Sequence, residues 1–368
     1  MLTWGLASVL GSSFVVCALL VLTQRWHGKL SLDHDLAGIQ KIHAKPVPRI
    51  GGLGLAFGLL IAVITGYANG GKTYPTTLIL LACAAPVFLA GLAEDLTKKV
   101  RVRTRLLASF ASAALAIWML DIRYTHLDTI GLDALIQYPV FSVLFTVFAV
   151  GGVTHSINII DGLNGLAAGT VSIMLAGLAA LAWMHGDVLV MKLCLWGIAS
   201  MVGFLLLNYP FGRIFLGDGG AYLAGFWLAQ CGVMFLERNP GVSAWALMLV
   251  WIYPVWETVF SMYRRRVKEG IQTGQADSGH LHQLIYQRLR MKAQAKGGPS
   301  PDWRGHGLAS AAIWAMVVGC QLVAVVASEN TTITCIAVWT YAAGYVWLYR
   351  RLSPHNKHVH QHAHAANV

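Results

Sequence analysis

Along this chain the apolar positions recur neither every second residue nor at the 3.6-residue spacing of a surface helix, but run together in unbroken blocks. Eleven blocks of roughly 17 to 23 residues lie near 4–23, 50–68, 76–93, 104–120, 138–155, 162–184, 190–208, 214–236, 242–262, 307–328 and 331–349. Each is about the length of helix that crosses the hydrocarbon core of a bilayer. The pattern predicts an all-α fold, a polytopic integral membrane bundle of about eleven transmembrane helices. Gly, Ala and Ser inside the blocks, as in GGLGLAFG and AAGTVSIMLAG, suit close helix contacts in lipid. No sheet or separate soluble domain fits between the blocks, so residues 1–349 read as one transmembrane domain. The His-rich tail 350–368 is expected to be disordered.

Composition agrees with this reading. The 368 residues are 56% hydrophobic and 12% charged, about half the charged fraction of a soluble domain. The first block has no basic stretch before it and no small-residue cleavage site after it, which predicts a retained helix and not a signal peptide. The six Cys fall inside the blocks without CxxC spacing and read as small core side chains.

Charge sets an expected orientation. Taking alternate loops as one side (24–49, 94–105, 155–162, 208–218, 263–306 and the tail from 350) collects 23 of the 27 Lys and Arg. Such a bias predicts that these loops are cytoplasmic, with the N-terminus outside and the C-terminus inside. The net charge of +11 is then a topology signal with some attraction to anionic lipid head groups, and nothing resembles a nucleic-acid-binding module.

Three loops on this side break the basic pattern with carboxylates and amides. Glu94 and Asp95 end the third block, NIIDGLNG brings Asn158, Asp161 and Asn164, and NYPFGRIFLGD brings Asn208 and Asp218. A transporter would be expected to place ionisable groups near the midplane; these sit at one rim, as in an active site facing the cytoplasm. Converging carboxylates repel unless a cation holds them, and hard oxygen donors point to Mg²⁺, or Mn²⁺, over zinc. Mg²⁺ fills its shell with water and substrate phosphates, and the nearby basic residues and glycines suit a diphosphate.

NIIDGLNGLAAG, FLGDGG, GLAEDLTKKV, HAKPVPRIGGLG, DSGHLHQL and PVWETVFSMYRRR, in that membership and on successive loops, together resemble the polyprenyl-phosphate N-acetylhexosamine-1-phosphate transferases over nearly the whole chain. The departures are Glu94 in the usual Asp-Asp pair, Asn164 for the second Asp of DGxDG, His155 for an Asn, Gln283 in the His-x-His-His motif, and Glu257 for an Asp. They look like the O-antigen-initiating branch. The resemblance implies that a UDP-N-acetylated sugar of GlcNAc, FucNAc or QuiNAc type gives its sugar-1-phosphate to undecaprenyl phosphate at the bacterial inner membrane, releasing UMP. Its polyprenyl chain would run along an apolar groove among membrane lipid.

Under that resemblance Asp218 and Asn158 hold the metal, the alternative for Asp218 being a helix cap. Asp95, with Glu94, positions or deprotonates the lipid phosphate, or else Asp95 pairs with Lys98 or Lys99. Asp161 orders its turn or the nucleotide. Asn164 and Asn208 are candidates for uracil or ribose, Phe215 for stacking, and Arg105, Lys45 and Arg49 for the diphosphate. His280 and His282 are expected to contact phosphate. Spaced i, i+2 on an interfacial helix whose apolar face is Leu281, Leu284, Ile285 and Leu289, they should not share a face or form a paired metal site. A homodimer is compatible with the sequence. The rival readings are a lipid-linked sugar transporter and a non-catalytic scaffold of the same pathway.

Overall fold

The computed structural model describes residues 2–32, 46–269, 277, 279–295 and 302–353. Ten helices come first: α1 (Leu2–Leu22), α2 (Gln24–Ser31), α3 (Gly52–Ala68), α4 (Tyr74–Thr97), α5 (Val102–Leu120), α6 (Leu132–Ile136), α7 (Pro139–Ile160), α8 (Leu166–Met184), α9 (Val188–Asn208) and α10 (Gly217–Arg238). After them come α11 (Ala244–Val250), α12 (Ile252–Tyr263) with a π-helical extension Arg264–Glu269, α13 (Leu281–Ala295), α14 (Asp302–Val326) and α15 (Thr331–Leu352). Among the described residues the only strand-like pairing is the single bridge between Leu32 and Pro48.

Every one of the eleven apolar blocks falls on helix. Among the described residues eight helices are long and apolar enough to cross a membrane alone, which makes the protein an all-α polytopic membrane protein. Helix α3 is shorter, at 17 residues, and α15 is diluted by Thr, Tyr and Trp. The block 242–262 departs from the expected single helix, because the chain bends by 78° between α11 and α12. Pro254 is the reason: it has no N–H to give the carbonyl of Val250 one turn back. Gln321 of α14 supplies the missing donor, its Nε2 lying 3.1 Å from that oxygen.

Helix α10 is the axis of the bundle. It is buried without interruption from Gly219 to Leu236 and packs against α3, α4, α7, α8 and α9. Its Gly and Ala residues let neighbouring helices close around it, so α10 shows almost no face to solvent or lipid. Glycines let its neighbours approach: a Cβ on Gly91 of α4 would lie 2.6 Å from the backbone N of Gly219, and Gly52 of α3 meets Gly220 in the same way. This closeness brings the end of α4 within reach of the first amides of α10.

Overpacking at such a contact costs about 1–3 kcal/mol. A Gly91→Leu variant is expected to melt at a clearly lower temperature in detergent than the unsubstituted protein, whereas Leu at the exposed Gly152, where an added Cβ meets nothing within 4 Å, should leave the melting temperature unchanged.

Candidate active site at the basic rim

Helix α10 opens with Gly217 at φ +74°, a left-handed conformation suited to Gly, and here a Cβ would strike the Asp95 carboxylate. The first amides of a helix lack intrahelical partners. Asp95, from the last turn of α4, supplies them: its Oδ1 accepts from Asp218 N at 2.8 Å and its Oδ2 from Gly219 N at 2.9 Å. Its side chain is 1% exposed. The structure thus places Asp95 as the cap of α10, not in a surface pair with Lys98 or Lys99. Glu94 closes the turn into α5, accepting from Val100 N at 2.7 Å.

Asp218 itself faces outward from this cap. Asn158 Nδ2, from the last turn of α7, donates to its Oδ1 at 3.0 Å, and Arg105 Nη1, from the start of α5, donates to its Oδ2. Arg49 Nη2 lies 3.5 Å from Asp95 Oδ1 and 3.8 Å from Asp218 Oδ1. Asp161 follows directly on α7. Burial, and then the charge of Asp218, raise its carboxyl to about 7, against the pull of Arg49. Four helix ends and the segment before α3 therefore bring Asp95, Asp218, Asn158, Asp161, Arg49 and Arg105 together. Lys45 lies outside the described residues.

The amides expected to meet the nucleotide are engaged with backbone. Asn208 Oδ1 accepts from Gly165 N at 2.6 Å and its Nδ2 donates to the Ile214 carbonyl at 2.7 Å. Asn164 Nδ2 donates to the Pro210 carbonyl at 2.8 Å. Together they fasten the DGLNG turn to the loop between α9 and α10. Phe215 is half-buried, its backbone paired with Pro48 and Gly51.

The His motif forms a second layer behind this turn. His280 precedes α13 and is capped by Gln283, whose Oε1 accepts from His280 N at 3.2 Å. Glu257 of α12, 1% exposed, takes His280 Nδ1 at 3.0 Å and Leu281 N at 3.2 Å on one oxygen. The expectation that the two His cannot share a face is overturned: their rings stack at 5.5 Å with an interplanar angle of 3°. The reason is that His280 stands outside the helix, so the i, i+2 divergence does not apply. His282 is buried beneath the DGLNG turn, where a Cβ on Gly162 would lie 2.7 Å from its Nε2, and Tyr253 Oη is 3.4 Å from its Nδ1. The expected apolar face of this helix is present, with Leu281 and Leu284 buried and Ile285 and Leu289 packed on the core.

Comparison with known proteins bears on this arrangement. Residues 77–236 match the model of glycosyl transferase family 4. A probable undecaprenyl-phosphate N-acetylglucosaminyl 1-phosphate transferase of Bacillus subtilis is 29% identical over 256 residues, 68% of this chain and 69% of its own. The undecaprenyl-phosphate alpha-N-acetylglucosaminyl 1-phosphate transferases of Salmonella typhi and Escherichia coli are 27% and 26% identical, each over 68% of both chains. The family 4 stretch contains Asp95, Arg105, Asn158, Asp161, Asn208 and Asp218, while Arg49 and the His layer lie outside it.

The donor set suits a hard divalent cation. Asp218 and Asn158 offer oxygens, and Mg²⁺ is content with one or two carboxylates plus water and phosphate. Among the described residues no group of three or more His, Cys, Asp or Glu is placed to cage a metal ion. Sequence reasoning gave no role to two residues. His155 has a buried Nε2 without a partner among the described residues, and its ring is 4.8 Å from that of Tyr222. Glu257 was noted only as a departure, although a carboxylate within an apolar block signals a buried partner.

Burial, and then His280, hold the His282 imidazole well below its ordinary value. The unfolded chain takes up a proton at His282 near pH 6.5 whereas the folded chain does not. Stability is therefore undiminished above about pH 6.5 and falls below it, by up to about 1.4 kcal/mol per pH unit. Thermal melts at pH 7.5 and 5.5 should show a smaller acid loss for His282→Gln than for the unsubstituted protein.

Proposed function

We propose that this rim transfers a sugar-1-phosphate from a UDP-N-acetylhexosamine to undecaprenyl phosphate, giving undecaprenyl-diphosphate-sugar and UMP. The observation that carries the reading is the meeting of Asp218, Asn158 and Asp161 with Arg49 and Arg105 at one helix-end cluster. The names of the relatives support an undecaprenyl phosphate acceptor and a GlcNAc-type donor; FucNAc and QuiNAc are the alternatives in keeping with the O-antigen-like departures. The basic loops favour a site on the cytoplasmic face of the bacterial inner membrane. The product would initiate O-antigen or another cell-surface polysaccharide.

In the proposed reaction an oxygen of the lipid phosphate attacks the sugar-bearing phosphorus in line. The new P–O bond forms as the bond to UMP breaks, and UMP leaves with the electron pair. A phosphate monoester, with a second pKa near 6, is already largely ionised at neutral pH and needs little help from a base. Asp95 is assigned to holding the start of α10 in place, since both its oxygens face amides. That disfavours a phosphorylated Asp95 and supports a single displacement. Asp218 and Asn158 would hold Mg²⁺, or Mn²⁺, which when bound offsets the negative charge of the diphosphate. Arg49 is positioned to orient phosphate oxygens, and Asp161 to keep the turn closed against the nucleotide. His280 and His282 support that turn from behind.

Purified protein incubated with undecaprenyl phosphate, Mg²⁺ and a panel of UDP-N-acetylhexosamines is expected to release lipid-dependent UMP. Asp218→Ala should lower the rate by about a hundredfold or more. Folded protein that releases no UMP with any donor would favour the non-catalytic scaffold.

A further inference from the structure

We propose that Arg105 is a displaceable counter-ion of Asp218, occupying by its own positive charge the carboxylate that a divalent cation takes during the reaction, and moving off as that cation binds. The inference rests on the reading of Asp218 as the metal-bearing residue.

Asp218 has one oxygen on Asn158 and the other on Arg105, so both are engaged before any ion arrives. The two oxygens are not equivalent. The amide of Asn158 is neutral, and its side chain can stay beside a cation or turn its own oxygen to it. A guanidinium cannot: a divalent ion on the same carboxylate would place like charges within about 4 Å of each other, a repulsion that low-dielectric surroundings strengthen. Arg49 lies farther off, 3.8 Å from Oδ1, so the strongest repulsion falls on Arg105 and favours its departure.

Arg105 is built to be the one that leaves. It stands near the start of α5, where the helix dipole disfavours a cation, so its own helix does not hold the charge. Its Nε is buried without a hydrogen-bond partner. Its side chain and that of Asp218 are 15% and 14% exposed, which leaves a path for an ion from the rim. The surrounding acids divide clearly: Asp95 is committed to the α10 amides and to Arg49, while Glu94 is the other carboxylate whose charge Arg105 feels. Once released, the guanidinium has the diphosphate of the donor as its nearest new anion, and its planar fork matches phosphate oxygens. The same residue would thus keep Asp218 neutralised at rest and grip the substrate when the ion is in place.

The discriminating signature is a pair of opposite effects. With full-length purified protein and Mn²⁺ as the probe, titration followed by the electron paramagnetic resonance of free Mn²⁺ should show Arg105→Gln and Arg105→Met binding the ion about tenfold more tightly than the unsubstituted protein, while UMP release slows. Asp218→Asn should lose the site. In the unsubstituted protein, Mn²⁺ should raise the rate of phenylglyoxal modification at Arg105 several-fold, read by peptide mass spectrometry. This arm decides the matter even where the Arg105 variants fail to fold. Unchanged or weaker Mn²⁺ binding in the Arg105 variants, or labelling indifferent to Mn²⁺, with Asp218→Asn still losing the ion, would make Arg105 a fixed tie between α5 and α10 and leave the metal reading of Asp218 standing. Mn²⁺ binding untouched by Asp218→Asn would overturn the inference together with that reading.

Discussion

The contact on which the rest of the site depends is the Asp95 carboxylate across the amides of Asp218 and Gly219 at the start of α10. A helix start buried among other helices cannot turn to water for partners, and its unpaired N–H groups carry the positive end of the helix dipole. A carboxylate from α4 answers both demands. It also fixes the rotation of α10 about its axis, and hence the direction in which Asp218 leaves the backbone. Two acids side by side would repel, and Arg49, reaching both, lessens that cost.

The same principle recurs outward from this point. Glu94, Asn208 and Glu257 each satisfy backbone amides at a helix end or turn, and Asn164 caps a loop carbonyl. In a chain with so little polar surface, acids and amides are first used to let the helices begin and end. What remains open to a substrate is a short list: Asp218, Asp161, Asn158 and the two arginines. The His layer extends the scheme to a third tier, since His282 supports the turn that holds Asp161 and is itself backed by Tyr253.

Much of this was legible in the sequence. Continuous apolar blocks left only one kind of element, and the placement of Asn158, Asp161 and Asp218 on alternate loops pointed to one rim. Directions were not legible. Whether Asn208 faces a nucleotide or Gly165 depends on the loop that returns from α9, and no local pattern encodes it. The His280–His282 spacing misled because the helix begins one residue later than a periodic reading assumes, so a cap residue took the place of a helical one. The bend at Trp251 was foreshadowed by Pro254, but the compensating amide of Gln321 lies on another helix.

The burial of α10 has a consequence for how the protein meets its bilayer. The outward faces of α1, α5, α14 and α15 carry exposed large side chains such as Trp4, Trp118, Leu322 and Trp347, a surface suited to lipid. Differences in bilayer thickness are absorbed by tilt of such outer helices, at a cost of fractions of a kcal/mol per ångström. The helix that carries Asp218 has almost no exposed surface of its own, and α5 is the member of that shell that reaches it, through Arg105. Changes in acyl-chain length or sterol-like stiffening would strain the periphery first and reach the rim by two routes, the close glycine contacts of α3 and α4 with α10 and the Arg105–Asp218 pair, so α5 is the helix through which the membrane bears on the site.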